Sequence, residues 1–310
     1  MYGQFFVIFA LMLTGYLARK ADIISEGMNQ SLNKFIIYVS FPCFIFYKVA
    51  EIEVGGTFIW SFMLTFILSS AIFLLSGLYA FGYAKMRRFP KGDSGSAEIM
   101  MVFPNNAFMG FPISYIFFGE IGLLLMLANN IAMNLTLFSY GAFTLDRNDG
   151  GKGFSVSRTL KCFLNPNIIA LIVGLVFYYF KFVIPDTAGM YLNHIGSICT
   201  PMAMIFIGST LVGTNILQVI KSGIIIESVI NKNFVLPVLS YFLLIFLPIS
   251  DIMKAIIMFG SCFPSAAMAS VLVETEGKNS VLACRILAVS TAVSIVSIPV
   301  FVKLINFLII

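Results

Sequence analysis

The chain predicts an all-α membrane protein: ten transmembrane helices set as two inverted five-helix repeats, with the fourth and ninth helices broken. Composition is the first observation behind this. Hydrophobic residues make up 59% and charged residues 11% of 310 positions, with mean hydropathy +0.98, where a soluble domain holds about half apolar and a quarter charged residues. The second is that apolar runs recur, each long enough to cross about 30 Å of hydrocarbon as a helix. The third is that proline breaks inside two of these runs, at Pro104 and Pro264, lie 160 residues apart. The runs are long and do not alternate apolar with polar, which favours helices over a barrel.

Taken in order, the first run covers 3–18. Its "FFVIFALMLTGYLA" has no basic segment before it, and Arg19 and Lys20 follow it, which suits a retained first helix rather than a cleaved signal. The second, 31–50, contains "VSFPCFIF" with Pro42, and the third, 57–84, ends at the basic "KMRRFPK". The fourth, 96–118, is interrupted by "MVFPNNAFMGFP". The fifth, 121–145, carries Asn130 and Asn134, four apart and so on one helix face. A basic stretch, 146–165, is the longest polar segment and links the halves 1–145 and 166–310.

The sixth run, 166–184, opens the second half, and the seventh, 193–213, contains "CTPMAMIF", whose Pro201 follows Pro42 by 159 residues. The eighth is placed at 231–250 and the ninth, 253–273, is broken in "FPSAAMAS". The tenth, 281–308, offers Ser290 and Ser294, 160 residues after Asn130 and Asn134. Several anchors at one spacing indicate a duplication. Five spans per half is an odd number, so the second half inserts upside down.

Loop charge fixes an expected orientation. With ten spans, fifteen of the nineteen lysines and arginines fall on one side, Lys232 among them, and four on the other. The rich side is expected to be cytoplasmic, with both termini outside. The net charge of +5 is therefore a matter of topology and contact with anionic lipid, not of nucleic acid. The five cysteines, Cys43, Cys162, Cys199, Cys262 and Cys284, show no paired or metal-ligand spacing. A single histidine, no zinc motif and no phosphate-binding loop argue against an enzyme, and no cofactor or metal is implied.

Proline removes one backbone N–H and collides with the preceding turn. Unpaired backbone groups cannot face lipid, so both breaks must face protein or a wet cavity. Past each break a half-helix starts, with free N–H groups and a positive dipole end. Asn105, Asn106 and Ser265 are placed to cap these starts or to meet a ligand. Matched breaks in inverted repeats mark the binding site of a secondary transporter, and opposed helix starts favour an anion without a buried lysine or arginine. The candidate substrate residues are Pro104, Asn105, Asn106, Asn130, Asn134, Pro264, Ser265, Ser290 and Ser294. The polar faces of the fifth and tenth spans serve equally well as interhelical contacts.

At "FPNNAFMGFP" followed by "FGEIGLLLMLANNIAMN", the chain resembles the auxin efflux carrier family, which includes bacterial malate- or malonate-type permeases. The resemblance implies a fold like the bile acid/sodium symporters, with crossed fourth and ninth helices in a domain that slides or rocks against a scaffold, and a homodimer. It also implies a substrate carboxylate held by asparagines beside the prolines. Asn105 matches the first of these positions, while Ser265 stands at the second, which favours a small carboxylate over an indole acid. The expected function is thus a secondary transporter for a small organic anion such as malate in the cytoplasmic membrane. The alternatives are an anion channel or a sodium-coupled organic acid symporter. Glu98, six residues before Pro104, is the acidic candidate for coupling to a proton or sodium ion, against the plainer reading of a glutamate solvated at the cytoplasmic interface.

Overall fold

The computed structural model describes residues 2–51, 58–147, 165–212 and 222–308. Among them every regular element is a helix. Six are long and apolar enough to cross a membrane: Glu26–Ala50, Phe58–Met86, Asn106–Asp146, Asp186–Thr210, Gly223–Ile245 and Ser280–Ile305. Their outward faces carry large apolar side chains, such as Trp60 at 71% and Phe242 at 58% exposure. Such surfaces suit a lipid solvent. The basic linker from 148 to 164, with Cys162, lies outside the described residues.

The helices are α1 (Tyr2–Lys20), α2 (Glu26–Phe35), α3 (Phe41–Ala50), α4 (Phe58–Met86), α5 (Lys91–Val102), α6 (Phe111–Thr136) and α7 (Ala142–Asp146). The second half supplies α8 (Pro166–Phe180), α9 (Asp186–Ser197), α10 (Cys199–Thr210), α11 (Gly223–Ile230), α12 (Leu236–Ile245), α13 (Asp251–Cys262), α14 (Ala267–Thr275) and α15 (Ser280–Leu308). Several starts are set by local chemistry. Ser25, Asn165 and Ser250 accept from first-turn N–H groups at 3.2, 2.9 and 3.4 Å, and Pro166 occupies the first helical turn.

The stretch Asn106–Asp146 is not one rod. Gly119 adopts φ 64° and ψ −151°, and a Cβ on Gly122 would lie 2.7 Å from the Ser114 carbonyl oxygen. Residues eight apart on a straight helix are about 12 Å apart, so the chain folds back at Gly119, where only glycine enters that conformation freely. The turn falls between the fourth and fifth runs read from sequence.

Of the four wide, π-type turns among the described residues, Leu137–Gly141 has no proline after it; the other three occupy Ile36–Ser40, Asn106–Gly110 and Asn231–Val235. Each is followed two residues later by a proline: Pro42, Pro112 and Pro237. Proline collides with the carbonyl four residues back, and that carbonyl lies inside each wide turn, which relieves the clash by adding a residue.

The chain forms two compact units, each drawing on both halves of the sequence. One comprises Met1–Ile59, Pro112–Leu124 and Leu160–Gly213. In it α1 and α10 meet backbone to backbone. A Cβ on Gly15 would lie 2.0 Å from the Ile205 carbonyl oxygen, and one on Gly208 would lie 1.8 Å from that of Met12. Ser209 donates to Asn29, and Ser40 donates to the Ile195 carbonyl at 2.9 Å. Such close approach through small residues is how helices associate where lipid leaves no hydrophobic driving force. Gly208→Val is expected to push the pair apart at a cost of about 3 kcal/mol, read as a lowered unfolding temperature in detergent. An unchanged midpoint would contradict this packing.

The second unit comprises Trp60–Phe111, Leu125–Thr159 and Thr214–Ile310. Its core gathers Phe73, Ile99, Met100, Phe103, Ala266, Ala269, Ala283 and Ile286. The broken ninth span, read at 253–273, is the pair α13 and α14, and two other boundaries differ from the sequence reading. The fourth span begins at Lys91, earlier than 96. The eighth runs from Gly223 to Ile245 rather than 231–250, so Lys232 is no loop residue but lies inside a span.

Candidate functional site: a crossover of two broken helices

Within the second unit, α5 ends at Val102 and α13 at Cys262, and both chains continue in extended conformation. Phe103 has φ −88° and ψ 120°, Phe263 φ −70° and ψ 152°. The two extended pieces pair antiparallel, with Pro104 opposite Ser265. The Asn105 N–H donates to the Pro264 carbonyl at 2.7 Å, and the Ala266 N–H to the Phe103 carbonyl at 2.9 Å. Each break thus satisfies backbone groups that the other has freed, as a buried chain requires. New helical turns start immediately beyond, at Asn106 and at Ala267.

The two starts are capped differently. The Asn105 side-chain oxygen accepts from the Phe108 N–H at 3.3 Å, as expected. Ser265 does not cap: its hydroxyl donates to the Met100 carbonyl at 2.6 Å and its N–H to the Ser290 hydroxyl at 3.1 Å. Pairing with Pro104 moves the cap position one residue on to Ala266, which has no side-chain acceptor. The N-terminus of α14 therefore carries a helix dipole's positive end, and among the described residues no side chain caps it and no acid lies in its first turn.

A buried amide chain runs from the first break. Asn106 Nδ2 donates to Asn129 Oδ1 at 2.6 Å, and Asn129 Nδ2 to the Ser69 hydroxyl at 2.8 Å. Gly260 makes room for it, since a Cβ there would lie 2.6 Å from Asn129 Oδ1. Asn106 Oδ1 and Asn130 Oδ1 are buried and, among the described residues, without a partner, which leaves each able to accept from a water or a ligand. Asn134 and Ser294 are also buried, and the Ser294 hydroxyl returns to the Thr291 carbonyl at 2.6 Å. Among the described residues no hydrogen bond joins Asn130, Asn134 or Ser294 to the break. Asn129, not singled out in the sequence, is the member of that asparagine run that does.

The expectation of a site without a buried cation is corrected by Lys232. It is 1% exposed, in the π turn ahead of Pro237, and its ammonium donates to the Val102 carbonyl at 3.2 Å. The Cys262 thiol, at the end of the other half-helix, lies within its electrostatic reach. Its neighbours are anchored as well. Asn231 accepts from the Tyr79 hydroxyl at 2.5 Å, and Asn233 donates to the Ser290 carbonyl at 3.0 Å. The signal in the sequence was "NKN" between "SVI" and "FVLP", a polar triplet flanked on both sides by apolar residues.

Glu98 is a second correction. It is not solvated: it is 2% exposed, accepts from the Ser94 hydroxyl at 2.7 Å, and pairs with Arg147 Nη2 at 2.9 and 3.1 Å. Because α5 starts at Lys91, Glu98 lies two turns inside it. The Arg147 guanidinium lies 4.2 Å over the Phe81 ring. The pair borders a cavity of about 230 Å³ that Lys85, Arg88 and Lys91 also line.

The sequence profile of the membrane transport protein family matches residues 1–155 and 153–302. A protein of Methanothermobacter thermautotrophicus named as an uncharacterized transporter is 23% identical over 295 residues, covering 95% of both chains. An uncharacterized transporter of Methanocaldococcus jannaschii is 24% identical over 270 residues, covering 86% of both. A multi-pass helical chain, broken helices paired at a polar centre, and a profile match along nearly its whole length place this protein in the membrane transport protein family, the family of the auxin efflux carriers.

Proposed function

We propose that the chain is a secondary transporter of small organic anions, mono- or dicarboxylates such as malate, working by alternating access at the crossover. One observation carries this reading: two broken helices pair antiparallel and set a capped and an uncapped helix start beside the buried, unpartnered side-chain oxygen of Asn106. Helix N-termini bind carboxylates through main-chain N–H groups and the dipole, and broken helices supply such groups inside a membrane. Asn105 and Asn106 at one break, Ser265 at the other and Ser290 beside it form the substrate site. Asn130, Asn134 and Ser294 extend its polar lining.

Ten spans in two inverted repeats, 1–145 and 166–310, are the architecture this reading uses, with Gly119 dividing the fourth from the fifth. With Lys232 removed from the loop set, loop charge stands at fourteen against four, which supports a cytoplasmic membrane protein with both termini outside. A homodimer is part of the same reading.

Asn105 variants test the site. Asn105→Ala removes the cap and one amide and is expected to weaken carboxylate binding about tenfold, the worth of one charge-assisted hydrogen bond. Asn105→Asp places a negative charge on the anion site and is expected to abolish binding. Equal malate affinity in wild type and both variants, each folded by its unfolding temperature, would remove the crossover from the binding site.

A further inference from the structure

Lys232 has the charge arrangement of a moving proton's carrier. A buried ammonium is costly to hold unless it is paired and hydrogen-bonded, and an ionisable group inside a membrane marks function by default. Among the described residues its one hydrogen-bond acceptor is the Val102 carbonyl and no carboxylate pairs with it. The acids on the packed elements are engaged elsewhere. Glu98 pairs with Arg147 at 2.9 Å, Glu227 with Arg87 at 2.9 Å, and Asp251 with Lys254 at 3.5 Å. Asp93 accepts from Asn279 at 2.8 Å. Lys91 lines the cavity beside Glu98, and on α15 Cys284, Arg285 and Lys303 are exposed. On α12 Tyr241 meets Phe242 edge to face with ring centroids 5.6 Å apart. Among the described residues, the ionisable group within electrostatic reach of Lys232 is the Cys262 thiol.

The same ammonium bonds Val102, the last residue of one half-helix, and lies within electrostatic reach of Cys262, the last of the other, each two residues from its break proline. A carboxylate at the crossover therefore supplies the negative partner that an ammonium at Lys232 otherwise lacks. On this basis we infer that Lys232 takes up a proton when the organic anion binds and gives it up when the anion leaves. The balance is R–COO⁻ + H⁺ + Lys–NH₂ → R–COO⁻···⁺H₃N–Lys on loading, and the reverse on release. One proton travels with each anion, so a monocarboxylate moves without net charge and a dicarboxylate with one negative charge fewer. The inference rests on the anion-transport reading and names its coupling ion.

The test is labelled malate flux in proteoliposomes that enclose a pH-sensitive dye. Wild type is expected to acidify the lumen as malate enters. Lys232→Gln is expected to keep malate exchange at about tenfold weaker affinity with no acidification. Lys232→Arg, whose charge is permanent, is expected to exchange malate at a changed affinity and likewise lose acidification. Malate entry without acidification in wild type, or acidification unchanged in both variants, would overturn the proton role while leaving the transporter reading intact. Absence of malate exchange in folded wild-type protein would overturn both together.

Discussion

Asn129→Leu is expected to lower the stability of the crossover unit by about 2–4 kcal/mol and to abolish anion exchange. The substitution keeps the branched skeleton of the side chain and deletes both hydrogen bonds of the buried chain, to Asn106 at 2.6 Å and Ser69 at 2.8 Å. Asn106 Oδ1 already lacks a partner, so its amide would be left wholly unsatisfied. An unpaired buried amide costs about 1–3 kcal/mol, more than the bonds contribute while made. Gly260 packs against Asn129, which prevents the larger apolar branch from shifting toward α13. Unfolding midpoints in detergent and exchange rates in vesicles check the two parts. Wild-type stability with full exchange would mean that the Asn106–Asn129–Ser69 chain neither holds the break nor orients its amides.

Arg147→Met is expected to destabilise by about 2–3 kcal/mol, through a different cause. It strands Glu98, 2% exposed, with the Ser94 hydroxyl as its remaining partner. Removing one member of a fully buried pair costs about 3–5 kcal/mol. The figure here is lower because the Arg147 side chain keeps 23% exposure and water screens it. The double variant Glu98→Gln/Arg147→Met removes both charges and is expected to regain most of the loss. A double variant no better than Arg147→Met would show that Arg147 acts through its stacking on Phe81 instead.

Much of this architecture was legible because bilayer physics writes plainly. Apolar runs marked the helices, and Pro104 and Pro264 marked the breaks, since proline inside an apolar run frees backbone groups that must find partners. What stayed hidden depended on tertiary partners. Lys232 reads in a hydropathy profile as the end of a span, because a charge inside lipid and a charge at its edge look alike in one dimension. Placing the eighth span at 231–250 followed from that. Asn129 was missed because the four-residue spacing of Asn130 and Asn134 drew the polar face about 100° away. Only the neighbours Asn106 and Ser69 tell which asparagine turns toward the break. Ser265 was expected to cap by residue type. Backbone pairing with Pro104 overrode that, moving the helix start to Ala266 and turning the hydroxyl to Met100. Glu98 shows the same limit, since its burial depends on Arg147, forty-nine residues away.

The central claim is that the crossover carries small organic anions by alternating access. Counterflow in proteoliposomes tests it most directly, with labelled malate, malonate and indole acetate outside and unlabelled acid trapped within. Saturable, trans-stimulated uptake of a small carboxylate, lost in Asn105→Asp, is the expected result, with little uptake of indole acetate. Uptake that neither saturates nor responds to trapped acid, or that survives Asn105→Asp unchanged, would contradict it.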